Sequence, residues 1–224
     1  MHPEHRRRGL ATKLLSCAIR RARELGAKVA HVNIMEDNAV AKSVLSRLGF
    51  SLVRRFLKLR LDIADVHWLD INRAALECRY LQRGEEDKLT QILNRSFADT
   101  WGYNPNTVEE ITYKTNLSNC SPEDVVLACD GDRVVGYCWT RVACEGGATS
   151  QRKGQIYMIG VDPDYRGKGT GKKMLLAGLA HLRSKSLQVA ELTVDSENKA
   201  ACALYQSIGF KVQASSFWYE KVIN

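Results

Sequence analysis

A repeat within the chain constrains its fold more than any other feature of the sequence. Identical residues recur 160 positions apart from position 3 to position 50, and no insertion breaks the register. The pairs include Pro3 with Pro163, Arg6 with Arg166, Gly9 with Gly169, Asn38 with Asn198 and Gly49 with Gly209. A period of this length is that of a domain and not of a solenoid. The sequence therefore predicts two copies of one domain.

Each copy contains a Gly-rich, cationic segment that leads into an apolar helix. In the second copy it runs from Val161 to Lys172 and reads VDPDYRGKGTGK. Glycine permits positive φ and close approach of a ligand to the backbone, and amides at a helix N-terminus attract anions. Because Arg166, Lys168 and Lys172 add positive charge, we interpret this segment as a pyrophosphate cradle. Its G-x-G-x-G spacing fits neither the dinucleotide fingerprint nor the P-loop.

Apolar periodicity and turn residues predict the elements of the second copy. A strand at 76–81 and a helix at 85–96 precede an aromatic loop at 97–106 and a short helix at 107–114. The later elements are a hairpin of 125–128 and 134–142, a loop at 145–154, a strand at 155–161, a helix at 169–184, a strand at 189–194, a helix at 198–208, and strands near 210–212 and 217–222. This order predicts a mixed α/β domain.

The first copy begins at its cradle and lacks the strands and helices that precede the cradle in the second. An isolated half-sheet would expose unpaired strand edges, so we expect either a truncated gene or completion of the sheet by another chain. We predict a partial domain at 1–62, a linker at 63–75 and a complete domain at 76–224. Oligomerisation through the incomplete half is consistent with this division.

Composition is that of an ordinary globular protein, with 45% hydrophobic and 26% charged residues. No apolar run is long enough to span a membrane, and the basic N-terminus has no signal-peptide core. The seven cysteines are scattered without a CxxC pair, which predicts reduced thiols, no metal site and a cytoplasmic location. Residues 1–75 carry the whole net charge of +8, because residues 76–224 balance 18 cations against 18 anions.

The cradle and a second motif together resemble the GCN5-related N-acetyltransferases. The first motif is Val161-x-Pro-x-x-Arg-Gly-x-Gly-x-Gly171, which is similar to the acyl-CoA pyrophosphate motif of that family. The second is Asn198-x-x-Ala-x-x-Leu-Tyr-x-x-x-Gly-Phe210, which is similar to the motif that follows it. The tandem arrangement most resembles the mycothiol synthase group. The resemblance implies the acyl-CoA N-acyltransferase fold, with one complete domain and the C-terminal half of a second.

The resemblance also implies a role for each matching residue. Acetyl-CoA would be the co-substrate, an amine the acceptor, and Tyr205 the general acid that protonates the departing thiolate. The strand that ends at Val161 would diverge from the next strand, pair with the pantetheine arm and polarise the acetyl carbonyl. The residues expected to bind the cofactor are Ile159, Gly160, Val161, Arg166, Gly167, Lys168, Gly169, Thr170, Gly171, Lys172 and Asn198. Asn198 also suits a helix N-cap.

The acceptor and the base are less well defined by the sequence. Aromatic residues in the expected acceptor region make Trp101, Tyr103, Trp139 and Tyr157 candidate substrate contacts, together with Gln155. In mycothiol synthase-like proteins a carboxylate often stands where this chain has Gln155, which cannot act as a base. Glu191, Asp195 and Glu145 are alternative carboxylates, and attack by free amine is a further possibility, so we name no base.

The first copy departs further from the family pattern. Leu45 stands in the position of Tyr205, and Arg7 stands in the position of Gly167. The strand that would pair with pantetheine is absent, because Met1 aligns with Val161. Arg6, Arg8, Gly9 and Ala11 retain the capacity to bind phosphate. We expect this copy to be structural and non-catalytic.

The sequence thus predicts an acetyl-CoA-dependent N-acetyltransferase that uses the primary amine of a small metabolite as acceptor. One alternative is acetylation of a protein or peptide, which needs an open groove. The other is a non-catalytic module that binds CoA or nucleic acid, suggested by the basic first segment. The sequence contains none of the recognised nucleic-acid-binding motifs, which argues against a module that binds nucleic acid.

Overall fold

A computed structural model describes residues 2–68, 76–117, 120–144 and 152–223. The helices within these ranges are α1 (Leu10–Glu24), α2 (Ala39–Arg47), α3 (Glu86–Phe97), α4 (Val108–Thr115), α5 (Thr170–Ser184) and α6 (Lys199–Ile208). The strands are β1 (Val29–Met35), β2 (Ser51–Asp62), β3 (Glu77–Tyr80), β4 (Val125–Asp130), β5 (Arg133–Cys144), β6 (Arg152–Val161), β7 (Val189–Asp195) and β8 (Lys211–Val222). The mixed α/β class predicted from the sequence is confirmed.

The chain forms two compact units, and each is assembled from segments that are distant in sequence. The first unit contains residues 1–59, 193–202 and 212–224. The second contains residues 60–192 and 203–211. The division into domains at 1–62 and 76–224 stays a prediction, and residues 69–75 of the predicted linker lie outside the described residues.

The C-terminal strand of the chain supplies a central strand of the first unit. β8 lies between β1 and β2 and pairs antiparallel with β1 from Val29 opposite Val222 to Met35 opposite Ser216. This pairing satisfies one edge of the half-sheet from within the same chain, which neither expected arrangement included. The prediction of two short strands here was wrong, because one continuous strand of 12 residues forms.

The first unit buries one residue of helix α2 and none of helix α1. Leu45 of α2 is buried together with Phe50 and Leu59. In contrast, α1 has no buried residue, and its Leu14 is 64% exposed. The matching helix α5 of the second unit buries eight residues, because strands β4, β5 and β6 pack against it.

The second unit is a sheet in the order β7-β6-β5-β4-β3 with helices on both faces. Neighbouring strands are antiparallel except β6 and β7, which are parallel. Tyr137 and Trp139 of β5 pack into a core with residues of α3 and α4. The intervening Cys138 points to the opposite face, where it meets Gly178 of α5. This alternation follows from the two-residue period of a strand.

Local signals explain where most of these elements begin and end. The hairpin of β4 and β5 turns at Gly131, which adopts a φ of 57°. Helix α4 begins with a capping box between Thr107 and Glu110. The predicted loop at 145–154 ends too late, because β6 already starts at Arg152 and pairs with β5 there. The earlier part of that loop, 145–151, is outside the described residues.

Among the helices that the structure describes, none combines the length and hydrophobicity that crossing a membrane requires.

Candidate functional site

Strand β6 carries a β-bulge at the centre of the predicted site. Trp139 of β5 lies opposite Met158, but the next residue, Thr140, lies opposite Ile156. Tyr157 is therefore an extra residue in β6 without an opposite partner. A bulge of this kind bends the strand, increases its twist and redirects side chains.

The pairing of β6 with β7 ends at Gln155, just before the bulge, and the family resemblance implied a divergence of these two strands. The recorded pairs between them are Gly154 with Ala190 and Gln155 with Glu191. On its other side β6 stays paired with β5 as far as Val161 opposite Gly136. The segment 159–161 thus has one edge in the sheet and one edge turned towards the gap between β6 and β7. Peptide-like groups of a ligand can form hydrogen bonds with such an edge.

Gly160 is required by close packing on the helix side of this strand. A Cβ atom built on Gly160 would lie 2.3 Å from Ser96 Oγ and 2.6 Å from Tyr137 Cε1. No real Cβ atom approaches other heavy atoms so closely. The glycine therefore allows the end of α3 to approach the strand that we expect to hold the cofactor.

The cradle has the backbone conformation that its glycines predicted. Gly167 has a φ of 73° and Gly169 a φ of 83°, and a Cβ at either would meet no atom within 4 Å. Gly169 is the N-cap of α5 and provides no side-chain cap. The first amides of α5 are consequently left for other acceptors, and the helix dipole favours an anion there.

Arg166 performs a structural task that the sequence did not reveal. Its Nη2 donates to the carbonyl of Ser96 at 2.8 Å, and its Nε donates to the carbonyl of Val161 at 3.3 Å. The side chain thus connects the end of α3 to the end of β6. Nearby, Lys168 Nζ donates to the carbonyl of Asp164 at 3.0 Å.

A buried carboxylate, Asp162, holds the turn between β6 and the cradle. Arg95 Nε donates to Asp162 at 2.7 Å and Arg133 donates at 2.9 Å, while the amide of Asp164 donates at 3.0 Å. Burial by itself would raise the pKa of Asp162, but these hydrogen bonds outweigh it and lower the pKa. Sequence reasoning missed this residue, although an Asp directly before a Pro at a strand end is a recognisable turn signal.

The predicted general acid lies in the same unit as the cradle. Tyr205 of α6 is 6% exposed, and its ring makes an edge contact with Phe210 at 5.9 Å. Burial raises the pKa of Tyr137 well above its usual value, and proximity to Tyr205 adds to this shift. Leu204, the preceding residue, lies against Gly171 of the cradle. Tyr205 therefore lies in the neighbourhood of Tyr137 of β5, and the residue before it lies against the cradle.

Asn198 has the capping role that its chemistry suggested. Its Oδ1 accepts a hydrogen bond from the amide of Ala201 at 3.1 Å. Asn38, its counterpart in the first copy, accepts from Ala41 at 3.0 Å. Contact between Asn198 and the cofactor stays a prediction.

The aromatic candidates for acceptor contacts lie at different depths. Trp139 is fully buried, and Tyr157 lies edge-on to it at 5.4 Å. Tyr103 is half-buried, and its hydroxyl donates to Asn94 at 2.5 Å. Burial raises the pKa of Tyr103. Trp101 is half-buried in the loop 97–106.

The structure describes the surroundings of two of the three carboxylates that the sequence offers as candidates for the base. Glu191 lies opposite Gln155 and forms an ion pair with Lys153 at 3.3 Å in a mostly buried position. Asp195 accepts from the amide of Glu197 at 2.9 Å and lies 4.0 Å from Arg54. Glu145 is outside the described residues.

The first copy retains the shape of the cradle at a cost in backbone strain. Arg7, in the position of Gly167, adopts a φ of 63°, and Gly9 adopts 72°. A cavity of about 1110 Å³ adjoins this segment and is lined by residues that include Arg6, Gly9 and Asn38. Leu45 is buried and contributes no acidic proton.

Together, the features of the second unit fit an acyl-CoA. The free edge of β6 suits the amides of a pantetheine arm, and the glycine backbone at 167–171 leaves room for a pyrophosphate. Among the described residues, no group of three or more His, Cys, Asp or Glu side chains is arranged to hold a metal ion.

Comparison with known proteins agrees with this geometry. The mycothiol acetyltransferase of Thermobispora bispora is 30% identical over 211 residues, which cover 94% of this chain and 70% of that protein. The mycothiol acetyltransferase of Amycolatopsis mediterranei is 32% identical over 215 residues, again 94% of this chain and 70% of that protein.

Solved structures share the fold. A GCN5-related N-acetyltransferase from Sphaerobacter thermophilus matches with a TM-score of 0.76 at 22% identity, over 100% of this chain and 71% of that one. A tandem GNAT protein from the clavulanic acid biosynthesis pathway matches with a TM-score of 0.72 at 15% identity, over 100% of this chain and 73% of that one. The profile of the acetyltransferase (GNAT) family matches residues 1–50 and 87–210. The chain therefore belongs to the GNAT family of acetyltransferases.

Proposed function

We propose that this acetyltransferase moves the acetyl group of acetyl-CoA to the primary amine of a small molecule, with Tyr205 as general acid. The observation that carries the proposal is the separation of β6 from β7 after Gln155, next to the glycine cradle and close to Tyr205. This arrangement combines a strand edge for the pantetheine arm, an anion site and a proton donor in one unit.

In the proposed reaction, acetyl-CoA supplies an activated thioester, and the cradle residues 166–172 bind its pyrophosphate through backbone amides and cations. The backbone of 159–161 positions the thioester and polarises its carbonyl. The neutral amine attacks the carbonyl carbon, so that a C–N bond forms and the C–S bond breaks. Tyr205 donates its proton to the sulfur, and the amine nitrogen loses a proton to solvent or to a nearby base.

A small acceptor is favoured over a peptide by the contacts of the loop 97–106. Tyr103 in this loop bonds to Asn94 of α3, and Asn106 donates back to the Tyr103 hydroxyl at 3.1 Å. Phe97 packs on Tyr103 with ring centroids 5.6 Å apart. These contacts fix the loop against α3, which favours a covered pocket over an open groove.

The relatives named mycothiol acetyltransferase support a small thiol-containing amine as the acceptor class. Gln155 stands where that group often carries a carboxylate, so the acceptor of this chain need not be the same compound. We therefore extend the proposal to small primary amines and not to one metabolite.

The test measures CoA release from acetyl-CoA with a panel of small primary amines and a matched panel of peptides. Tyr205→Phe preserves the packing on Phe210 and removes the proton donor, so we expect kcat to fall about 10²- to 10³-fold. The KM for acetyl-CoA should change less than about twofold, because the ring remains. Tyr113→Phe, on an exposed side chain of α4, is the matched control and should retain full activity.

An unchanged kcat in Tyr205→Phe would reject the general-acid assignment. Turnover of the peptides without turnover of any small amine would support the alternative protein or peptide acetyltransferase.

A further inference from the structure

One face of β5 carries three side chains with buried polar atoms that lack partners. They are the hydroxyl of Tyr137, Nε1 of Trp139 and Nε of Arg141, and none has a partner with hydrogen-bond geometry within the described part of the chain. The Tyr137 hydroxyl is the least isolated of the three, because the nearby Ser96 side chain counteracts part of the rise in its pKa. Their spacing of two residues places all three on the face that packs against α3 and α4. A buried donor without a partner is destabilising, so the indole of Trp139 and the guanidinium of Arg141 point to a partner from outside the chain.

Arg141 is the most informative of the three because it carries a charge. Its guanidinium carbon lies 3.3 Å from the centre of the Tyr157 ring and 5.2 Å from that of Trp139. The side chain is half-buried. Stacking of this kind holds the guanidinium plane in place and leaves its N–H edge for a planar anion.

Four other arginines of this unit donate to carboxylates or carbonyls, whereas Arg183 stacks on the Trp68 ring at 4.0 Å. Arg79 donates to Glu85 at 2.6 Å and 2.9 Å, and Arg95 and Arg133 share Asp162. Arg166 donates to two carbonyls. For Arg141 the described residues provide two aromatic rings and neither a carboxylate nor a carbonyl.

The position of Arg141 places it beside two residues that the sequence analysis considered for the acceptor and the base. It lies directly opposite Gln155, and opposed residues of antiparallel strands share a face. Gln155 in turn pairs with Glu191, so the three residues form one row across three strands. Glu191 forms an ion pair with Lys153, and the described residues include no ion pair between Glu191 and Arg141.

From these contacts we infer that Arg141 binds a carboxylate of the acceptor, so that the substrates of this enzyme are small amines that also carry a carboxylate. The inference rests on the proposed function, because it assigns the acceptor to this face of β5 and β6. A carboxylate fits better than a phosphate, since one guanidinium edge offers two parallel N–H donors and one charge.

The experiment measures binding without turnover, so it is independent of acetyl transfer. The probes are N-acetylglycine, N-acetyl-β-alanine and N-acetyl-γ-aminobutyrate, each compared with its carboxamide, titrated into the CoA-saturated protein by calorimetry. We expect at least one acid to bind about tenfold or more tightly than its amide, as a charge-assisted bidentate contact predicts. Arg141→Gln should abolish this preference, and Arg141→Lys should retain part of it.

Arg152→Gln, at an exposed position on β6, controls for the loss of a surface cation and should keep the preference. Thermal unfolding of each variant shows whether it is folded. If Arg141→Gln does not fold, Arg141→Lys takes its place in the comparison of acids with amides. Equal affinity for acids and amides, no detectable binding of either, or a preference that survives Arg141→Gln would overturn the inference. Failure to acetylate any amine would instead reject the proposed function and leave these binding results valid.

Discussion

The guanidinium of Arg166 donates to the backbone carbonyl of Ser96 at 2.8 Å and so joins the last turn of α3 to the entrance of the cradle. The same side chain reaches the carbonyl of Val161. An arginine that was expected to contact phosphate thus also fixes the strand that is expected to hold pantetheine. The structural role of Arg166 and its expected role in binding the cofactor can therefore be distinguished by measuring stability and cofactor affinity in the same variant.

Replacing Arg166 by Met should lower both the stability of the fold and the affinity for acetyl-CoA. We expect the free energy of unfolding to fall by about 1–2 kcal/mol, because two carbonyls lose a charged donor. We expect the KM for acetyl-CoA to rise about tenfold, because the cradle loses a cation and its anchor. Urea denaturation and initial-rate kinetics measure the two effects. Arg6→Met, at the equivalent position of the first copy, should leave this KM unchanged, and an equal rise in both variants would contradict the assignment of the cofactor to the second copy.

A methyl group at Gly160 should displace the end of α3. In Gly160→Ala the new Cβ would lie 2.3 Å from Ser96 Oγ, so the helix must shift or the strand must move away. We expect a loss of about 1–3 kcal/mol in the free energy of unfolding, as for other overpacked sites. Gly171→Ala is the comparison, because its Cβ would lie 3.4 Å from Leu204, and it should retain wild-type stability. Equal stability of the two variants would show that α3 does not need this close approach.

The left-handed conformation of Arg7 predicts a stabilising substitution. Its φ of 63° is unfavourable for a residue with a side chain by about 1–2 kcal/mol. Arg7→Gly should relieve this strain. The larger conformational entropy of glycine in the unfolded state offsets part of the relief, so the free energy of unfolding should rise by about 0.5–1 kcal/mol. Arg8→Gly, where φ is not positive, should be neutral or destabilising. A destabilised Arg7→Gly would indicate that the Arg7 side chain contributes contacts that outweigh the strain.

The pair of Arg79 and Glu85 should make stability depend on pH. Hydrogen bonds from Arg79 lower the pKa of Glu85 from its usual 4.5 to about 2, against the opposing effect of burial. Because the folded-state pKa is depressed, the contribution is fully present above pH 4.5 and is lost as pH falls towards 2. At pH 7 the Glu85→Gln variant should be less stable than wild type by on the order of 2 kcal/mol.

Urea denaturation of both proteins at pH 7, 4 and 3 measures this difference, which should shrink as the pH falls. Glu86→Gln is the matched control, since the ion pairs that the structure describes at the start of α3 involve Glu85 and not Glu86. A difference that stays constant from pH 7 to pH 3 would contradict the assignment of this ionisation.

Much of the second copy of the repeat follows from local sequence signals. The positive φ of Gly167 and Gly169, the cap at Asn198 and the hairpin at Gly131 each depend on one residue and its neighbours in sequence. The apolar period of α3 likewise places Leu89, Ile92 and Leu93 on one face of the helix, and all three are buried. Such features are predictable because the interactions that cause them span only a few residues.

The tertiary structure decided what depends on residues far apart. No local signal indicates that β8 lies between β1 and β2, because strand pairing is set by the competition of all available edges. The partners of Arg166 and Asp162, and the aromatic stacking of Arg141, join elements separated by up to 70 positions. The sequence by itself thus determined the family, the cradle and the candidate general acid, since these lie in contiguous motifs. Only the fold decided which charges are paired with one another, because that depends on contacts made after the chain has packed.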